Sequence, residues 1–175
     1  METQTPNPEA EKHYMDWLRD AHAMEEQAES MLESMASRLE NYPELKRRIE
    51  QHIVETREQG RLVKQCIESR GGDTSAIKVA AGKTMAAAQA FSGMLAGDEV
   101  VKGGMFSYAF EHMEIAAYRN LIEAAKVMGD ISTQQTCERI LKEELAMAAW
   151  LEQNMASITR QYLLRSDYAE GTAKR

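Results

Sequence analysis

Proline and glycine, which interrupt regular backbone structure, are scarce: the 175 residues include only 3 proline and 10 glycine residues. So few turn formers disfavour a many-stranded β-fold. Cysteine is also scarce: Cys66 and Cys137 lie far apart and neither is part of a CxxC pair. Two buried thiols are therefore expected rather than a disulfide framework.

Long apolar runs and clustered positive charge are missing as well. No stretch approaches the ~20 apolar residues of a membrane helix, and the polar, acidic N-terminus does not resemble a signal peptide. A formal charge of −7 and a pI near 5.2 argue against nucleic acid as a partner. The short run from Lys46 to Arg48 is interpreted as a solvated helix face. We therefore expect a cytoplasmic protein with neither a membrane nor a nucleic-acid partner.

Strong helix formers dominate every long segment, and apolar residues recur three and four apart, as in amphipathic helices. This period predicts four long helices. Their expected ranges are 13–40, 43–70, 98–128 and 131–165. Proline at position 43, Gly71-Gly72 and Gly129-Asp130 mark the boundaries. Trp17 is included in the apolar stripe of the first helix.

A single all-α domain follows: a flexible N-terminus over 1–12, a bundle over 13–165 and a flexible tail over 166–175. The alanine-rich stretch from Ala76 to Met94 is interpreted as a helical crossover between helices two and three, and Asp98 as the cap of helix three. Two helical hairpins joined by a long connection are the wiring of a ferritin-like antiparallel four-helix bundle. A cytokine-like bundle, or an up-down bundle with an inserted helix, would give a similar pattern.

Several acidic residues fall inside the apolar stripes, although burying an unpaired carboxylate is costly. At ~100° per residue, Glu25 lies in the middle of the first stripe and Glu144 in that of the fourth. Their neighbours Glu26 and Glu143 point aside. The third helix directs Glu114 inward, with Glu111 beside it.

Helix two contributes His52 near the centre of its stripe and Glu55 on the flank. All four helices therefore supply a carboxylate or an imidazole, the ligands that iron, manganese and zinc accept. Two simpler interpretations stay open. The acids could be paired internally with lysine or arginine, and His52 could be a hydrogen-bonded core histidine. His13 and His112 are expected to face solvent.

The segments that carry these residues resemble the YciE/YciF branch of the ferritin-like superfamily, from about Tyr14 to Leu164. The matching motifs are Asp20-Ala-His-Ala-Met-Glu-Glu-Gln27, His52-Ile-Val-Glu-Thr-Arg-Glu-Gln59, Glu111-His-Met-Glu-Ile-Ala-Ala-Tyr118 and Leu141-Lys-Glu-Glu144. The resemblance implies stress association, a homodimer and a di-metal site. It implies the ligands Glu25, Glu55, Glu111, Glu114 and Glu144, to which the helical wheel adds His52.

The sequence departs from better-known relatives at two points. Where they carry Glu-x-x-His on the last helix, Glu144 is followed by Met147, a poor ligand for iron. On helix two the order is reversed, as His52-x-x-Glu55.

The leading hypothesis is a stress-associated protein with a di-iron or di-manganese carboxylate site and ferroxidase or peroxide-reducing activity. Iron is the expected cofactor, with manganese or zinc as alternatives and two ions if the site is intact. The resemblance assigns no single reaction and no catalytic residue. The main rival is a non-catalytic interaction protein with a degenerate metal site, which dimerises or docks a stress partner. Iron storage in a hollow shell is a third, less favoured, hypothesis.

Overall fold

The computed structural model describes residues 7–72 and 99–168. In these two stretches the chain forms four helices and no strand. The helices are α1 (Pro8–Arg38), α2 (Pro43–Ser69), α3 (Glu99–Val127) and α4 (Ile131–Tyr168). The predicted all-α fold is confirmed. The predicted crossover from Ala76 to Met94 and the predicted cap Asp98 lie outside the described residues.

Helix α1 begins at Pro8, so the predicted start of the first helix at His13 is too late. The side chain of Asn7 accepts a hydrogen bond from the backbone N–H of Glu9 at 3.0 Å, which caps the helix. Pro8 then occupies the first turn, where its missing N–H costs nothing. At the other end of the chain, α4 continues past residue 165 to Tyr168.

Contacts between residues near the helix ends show how the four helices are arranged. Arg70, just after α2, contacts Glu11 near the start of α1 and Asp130 before α4. Ser107, near the start of α3, donates to the sulfur of Met35 near the end of α1, at 3.7 Å. The end of α2 and the start of α3 therefore lie at opposite ends of the bundle. This is the ferritin-like arrangement that the segment order predicts.

A polar cluster fixes the three helix ends that meet at Asp130. Its carboxylate accepts hydrogen bonds from Arg70 at 3.0 Å, from the Tyr14 hydroxyl at 3.1 Å and from the Thr133 backbone at 3.0 Å. Burial alone would raise the pKa of Asp130, but these donors lower it overall. These contacts fix how α1, α2 and α4 are shifted relative to one another along the bundle axis. They therefore also determine which side chains from the middle of these helices lie at the same height.

The apolar core has two clusters, with a polar layer between them. The first is built around Leu18, Val63 and Leu121, and the second around Leu32, Ile49 and Leu151. Each of the two contains side chains from all four helices. The polar layer lies where the helices pass from one cluster to the other. None of the described helices is both long enough and apolar enough to cross a membrane.

Candidate metal centre

The polar layer consists of acidic side chains around one imidazole, and all of them are shielded from solvent. Relative exposure is 2% or less for Glu25 on α1, His52 on α2, Glu111 and Glu114 on α3, and Glu144 on α4. The predicted inward direction of these five side chains is therefore confirmed. Their helical neighbours Glu26 and His112 are exposed, as is His13, in agreement with the wheel.

His52 lies in the middle of the group. Its Nε2 atom is 3.2 Å from Oε2 of Glu111 and 3.6 Å from Oε2 of Glu144. One ligand atom from each of these three residues lies within 4.8 Å of the other two, so the cluster can hold a metal ion.

Glu25 and Glu114 extend the acidic group beyond that cluster. The Tyr118 hydroxyl, itself fully buried, donates a hydrogen bond to Oε1 of Glu25. Several buried carboxylate oxygens have no hydrogen-bond partner among the described residues. These are Oε2 of Glu25, Oε2 of Glu111, Oε1 of Glu114 and both oxygens of Glu144. Oxygens in this state are costly unless a cation or a proton satisfies them.

Raised pKa values favour the protonated forms of three of these acids, Glu25, Glu111 and Glu114, when no metal is bound. Burial, and then the neighbouring carboxylates, raise the pKa of Glu25 and Glu114 well above the ordinary value. Burial also raises the pKa of Glu111, to about 7, although His52 partly opposes it. Burial alone would lower the pKa of His52, but its contacts with Glu111, Glu144 and Glu55 raise it to about 12. The imidazolium of His52 is thus the resident cation of the metal-free site.

Glu55 lies on the other side of the His52 ring. Its Oε2 is 2.8 Å from Nδ1 of His52 and 3.2 Å from Nη1 of Arg48, and its Oε1 accepts from Gln51 at 2.8 Å. Burial would raise the pKa of Glu55, but the contacts with His52, Arg48 and Gln51 lower it to about 2. The predicted solvated face is therefore wrong for Arg48, whose side chain is only 11% exposed. Neither Arg48 nor Gln51 was predicted to contact Glu55, although their spacings of seven and four residues from it place them on the same side of the helix.

Met147, three residues after Glu144, is fully buried in the second apolar cluster. An apolar side chain therefore fills the position at which Glu-x-x-His relatives carry an imidazole. Of the four histidines in the sequence, only His52 is part of the metal cluster. The candidate centre is therefore rich in carboxylates and poor in imidazole.

A groove of about 750 Å³ lies on the outside of the bundle between α1 and α3. Trp17 and Met113 line it, and they are 49% and 51% exposed. The predicted inward position of Trp17 is therefore wrong. The reason is that Trp17 sits on the flank of the α1 stripe, whereas Tyr14, Leu18 and Ala21 are buried at its centre.

Comparison with known proteins agrees with this architecture. The family described as "Domain of unknown function (DUF892)" matches residues 9–164. A crystal structure of a protein from Xanthomonas campestris is 42% identical, covers 90% of this chain and 99% of that one, and has a TM-score of 0.77. YcfI from Rhodopseudomonas palustris is 24% identical over 87% of this chain and 97% of that one, with a TM-score of 0.66. The Escherichia coli stress protein YciF is 22% identical over 85% and 97%, with a TM-score of 0.69. The last two similarities concern the fold.

Proposed function

Because the chain belongs to the DUF892 family, in the YciE/YciF branch of the ferritin-like superfamily, we propose that it is a stress-associated metal protein. Its bundle centre binds iron and promotes the oxidation of Fe(II) by oxygen or peroxide. The observation that supports this most directly is the set of buried carboxylate oxygens around His52 that no described residue satisfies with a hydrogen bond. Apolar side chains at these positions would cost less free energy of folding than buried carboxylates that lack partners. The presence of acids there is therefore consistent with cation binding.

The chemistry of the donors fits iron or manganese, with zinc as a further candidate. Hard carboxylate oxygens and a neutral imidazole suit all three divalent ions. The four fully buried acids, Glu25, Glu111, Glu114 and Glu144, would together carry four negative charges when ionised. Two divalent cations would neutralise them, so we propose two ions per bundle.

Each protein group then has a definite role. His52, Glu111 and Glu144 would hold one ion, and Glu25 and Glu114 would complete the ligand set. Tyr118 fixes one oxygen of Glu25 and leaves the other for the metal. The apolar clusters on either side exclude water, which strengthens every ionic contact. When bound, iron would supply electron transfer to oxygen or peroxide.

The oxidation of Fe(II) tests this proposal. Metal-free protein is titrated with Fe(II) under anaerobic conditions and then mixed with oxygen or peroxide. We expect saturable binding followed by oxidation faster than in buffer. The Glu25→Ala, Glu144→Ala double variant should show neither, because it removes ligands from two helices.

The matched control is the Glu26→Ala, Glu143→Ala double variant, which changes the adjacent residues outside the metal cluster. It is expected to oxidise Fe(II) at the rate of the unmodified protein. Equal rates for the unmodified protein and the Glu25, Glu144 variant would contradict the proposal.

The groove between α1 and α3 favours a second candidate function, a non-catalytic interaction protein that forms a homodimer. An exposed tryptophan beside exposed methionine is typical of a protein-binding surface. We propose a second copy of the chain as the occupant, with Trp17 as its anchor. If addition of Fe(II), Mn(II) or Zn(II) to the metal-free protein leaves its thermal midpoint unchanged, the interaction function is favoured over the metal function.

Sedimentation velocity measures the dimer directly. Trp17→Lys is expected to shift the protein from dimer to monomer, because it places a charge in the apolar groove. Val54→Lys is the control: Val54 is also exposed, at 64%, but lies on α2 away from the groove. A Trp17→Lys protein that stays dimeric, or unmodified protein that is monomeric, would exclude this interface. A much larger assembly would instead support iron storage in a shell.

A further inference from the structure

Glu55 differs from the other acids around His52 in how its carboxylate is used. Both of its oxygens have partners: Oε2 contacts His52 and Arg48, and Oε1 accepts from Gln51. The side chain is 22% exposed, whereas those of Glu111 and Glu144 are at most 3% exposed. In contrast, the buried acids each carry at least one oxygen that has no hydrogen-bond partner in the described part of the chain. By this measure the carboxylate of Glu55 is fully hydrogen-bonded, whereas each buried acid keeps an oxygen that a metal ion could bind.

The two nitrogens of the His52 ring face different groups. Nδ1 lies 2.8 Å from Glu55, and Nε2 faces Glu111 and Glu144. A hydrogen bond from Nδ1–H to a carboxylate fixes the tautomer and leaves Nε2 as the atom that can bind a metal. To become a ligand itself, Glu55 would have to leave three partners and pass to the opposite side of the ring.

We infer that Glu55 is a positioning residue, which holds the ring of His52 with Nε2 directed at the metal position, and is not itself a ligand. This inference rests on the proposed metal function. It differs from the ligand set that the sequence predicts, because it assigns Glu55 to the outside of the site.

Arg48 and Gln51 hold the Glu55 carboxylate that contacts His52. Arg48, His52 and Glu55 lie three or four residues apart on α2, so they share one face of the helix. Arg48 contacts the same oxygen of Glu55 as His52 does, and Gln51 donates a hydrogen bond to the other oxygen. Outer carboxylates of this kind typically change metal affinity by ~10–100-fold when they are removed.

Cobalt(II) binding to the metal-free protein tests the inference, because its visible absorption spectrum reports coordination number. Glu55→Ala is expected to weaken Co(II) binding by ~10–100-fold and to leave the spectrum at saturation unchanged. Glu55→Gln keeps an oxygen that accepts from Nδ1–H, so its affinity should stay within a few-fold of the original. Glu111→Ala removes a proposed ligand and should change the spectrum itself. Because Glu55 is half-buried and outside both apolar clusters, its variants are expected to fold.

A second measurement does not depend on metal. In proton NMR spectra of the metal-free protein, the Nδ1–H of His52 should give a slowly exchanging downfield signal. We expect Glu55→Gln to retain this signal and Glu55→Ala to lose it.

The outcomes are distinct. A changed Co(II) spectrum in saturated Glu55→Ala would make Glu55 a ligand and overturn the inference. An unchanged NMR signal in Glu55→Ala would also overturn it, whether or not metal binds. If the unmodified protein binds no Co(II) while the NMR signal still depends on Glu55, the proposed metal function fails and the positioning of His52 stands.

Discussion

Addition of Mn(II) to the metal-free protein is expected to raise its thermal midpoint by ~5–10 °C at a free concentration about a hundredfold above the dissociation constant. A ligand that binds only the native state at that concentration stabilises it by ~2.7 kcal/mol. For a chain of this size, each kcal/mol corresponds to roughly 2–4 °C. Only the folded bundle brings residues from four helices together, so the unfolded chain should not compete for the ion. Mn(II) is suited to the measurement because oxygen does not readily oxidise it in simple buffers.

Glu144→Gln is expected to abolish this rise. Both oxygens of Glu144 are buried and have no hydrogen-bond partner within residues 7–72 and 99–168, and one of them lies 3.6 Å from Nε2 of His52. The amide keeps the size of the side chain and removes its charge. Glu143→Gln is the matched control, because Glu143 contacts Gln59 and Arg139 instead of the cluster. Differential scanning calorimetry of the three proteins, each with and without Mn(II), makes the comparison. A rise of the same size in Glu144→Gln, or none in the unmodified protein, would contradict the proposed site.

Protons compete with the metal at this site, so the size of the rise should depend on pH. The pKa of Glu111 is raised to about 7, and His52 holds its proton up to a pKa of about 12. Metal binding requires ionised carboxylates and a neutral imidazole, and therefore releases protons. At a fixed total Mn(II) concentration, the midpoint should rise more at pH 8 than at pH 6.

The inward position of the acids follows from the sequence because helical periodicity fixes the side of the helix on which each Cβ lies. This is why the wheel separates Glu25 from Glu26, although the two are adjacent and chemically identical. The same reasoning buries Glu114 and leaves His112 exposed. The order of the segments likewise predicts the wiring, since short connections force neighbouring helices to be antiparallel.

The partner of each polar group does not follow from periodicity. Glu55 lies on the flank of its stripe, where a long side chain can turn either to the cluster or to Arg48. The choice depends on side-chain torsions and on competing donors, which a wheel does not contain. The predicted burial of Trp17 is wrong for a related reason. A position on the flank of the stripe is buried only if a neighbouring helix covers it, and Trp17 instead lines the groove. The start of α1 was missed because Asn7 and Pro8 act as cap and first turn ahead of the apolar pattern.

Glu114→Gln is expected to make the metal-free protein more stable at pH 7, by about 1–3 kcal/mol in the free energy of unfolding. The folded state raises the pKa of Glu114 well above the ordinary value of 4.5, mainly because the side chain is fully buried. The unfolded chain ionises near 4.5, so the folded state loses about 1.4 kcal/mol for each pH unit above that value until its own pKa is reached. The amide cannot ionise in either state and avoids this loss.

The pH dependence distinguishes this cause from a change in packing. Below about pH 4.5, Glu114 is protonated in both states, and the two proteins should then be equally stable. The gap should open as pH rises from 4.5 towards 7. Urea unfolding in the presence of a chelator measures it, with Glu123→Gln as the control because that side chain is 70% exposed. A gap that is constant with pH would mean that the substitution acts through packing. No gain at pH 7 would mean that Glu114 is ionised and paired in the metal-free protein. The gain in stability should be accompanied by weaker Mn(II) binding, since the metal requires the ionised carboxylate, which is the form that burial disfavours in the metal-free bundle.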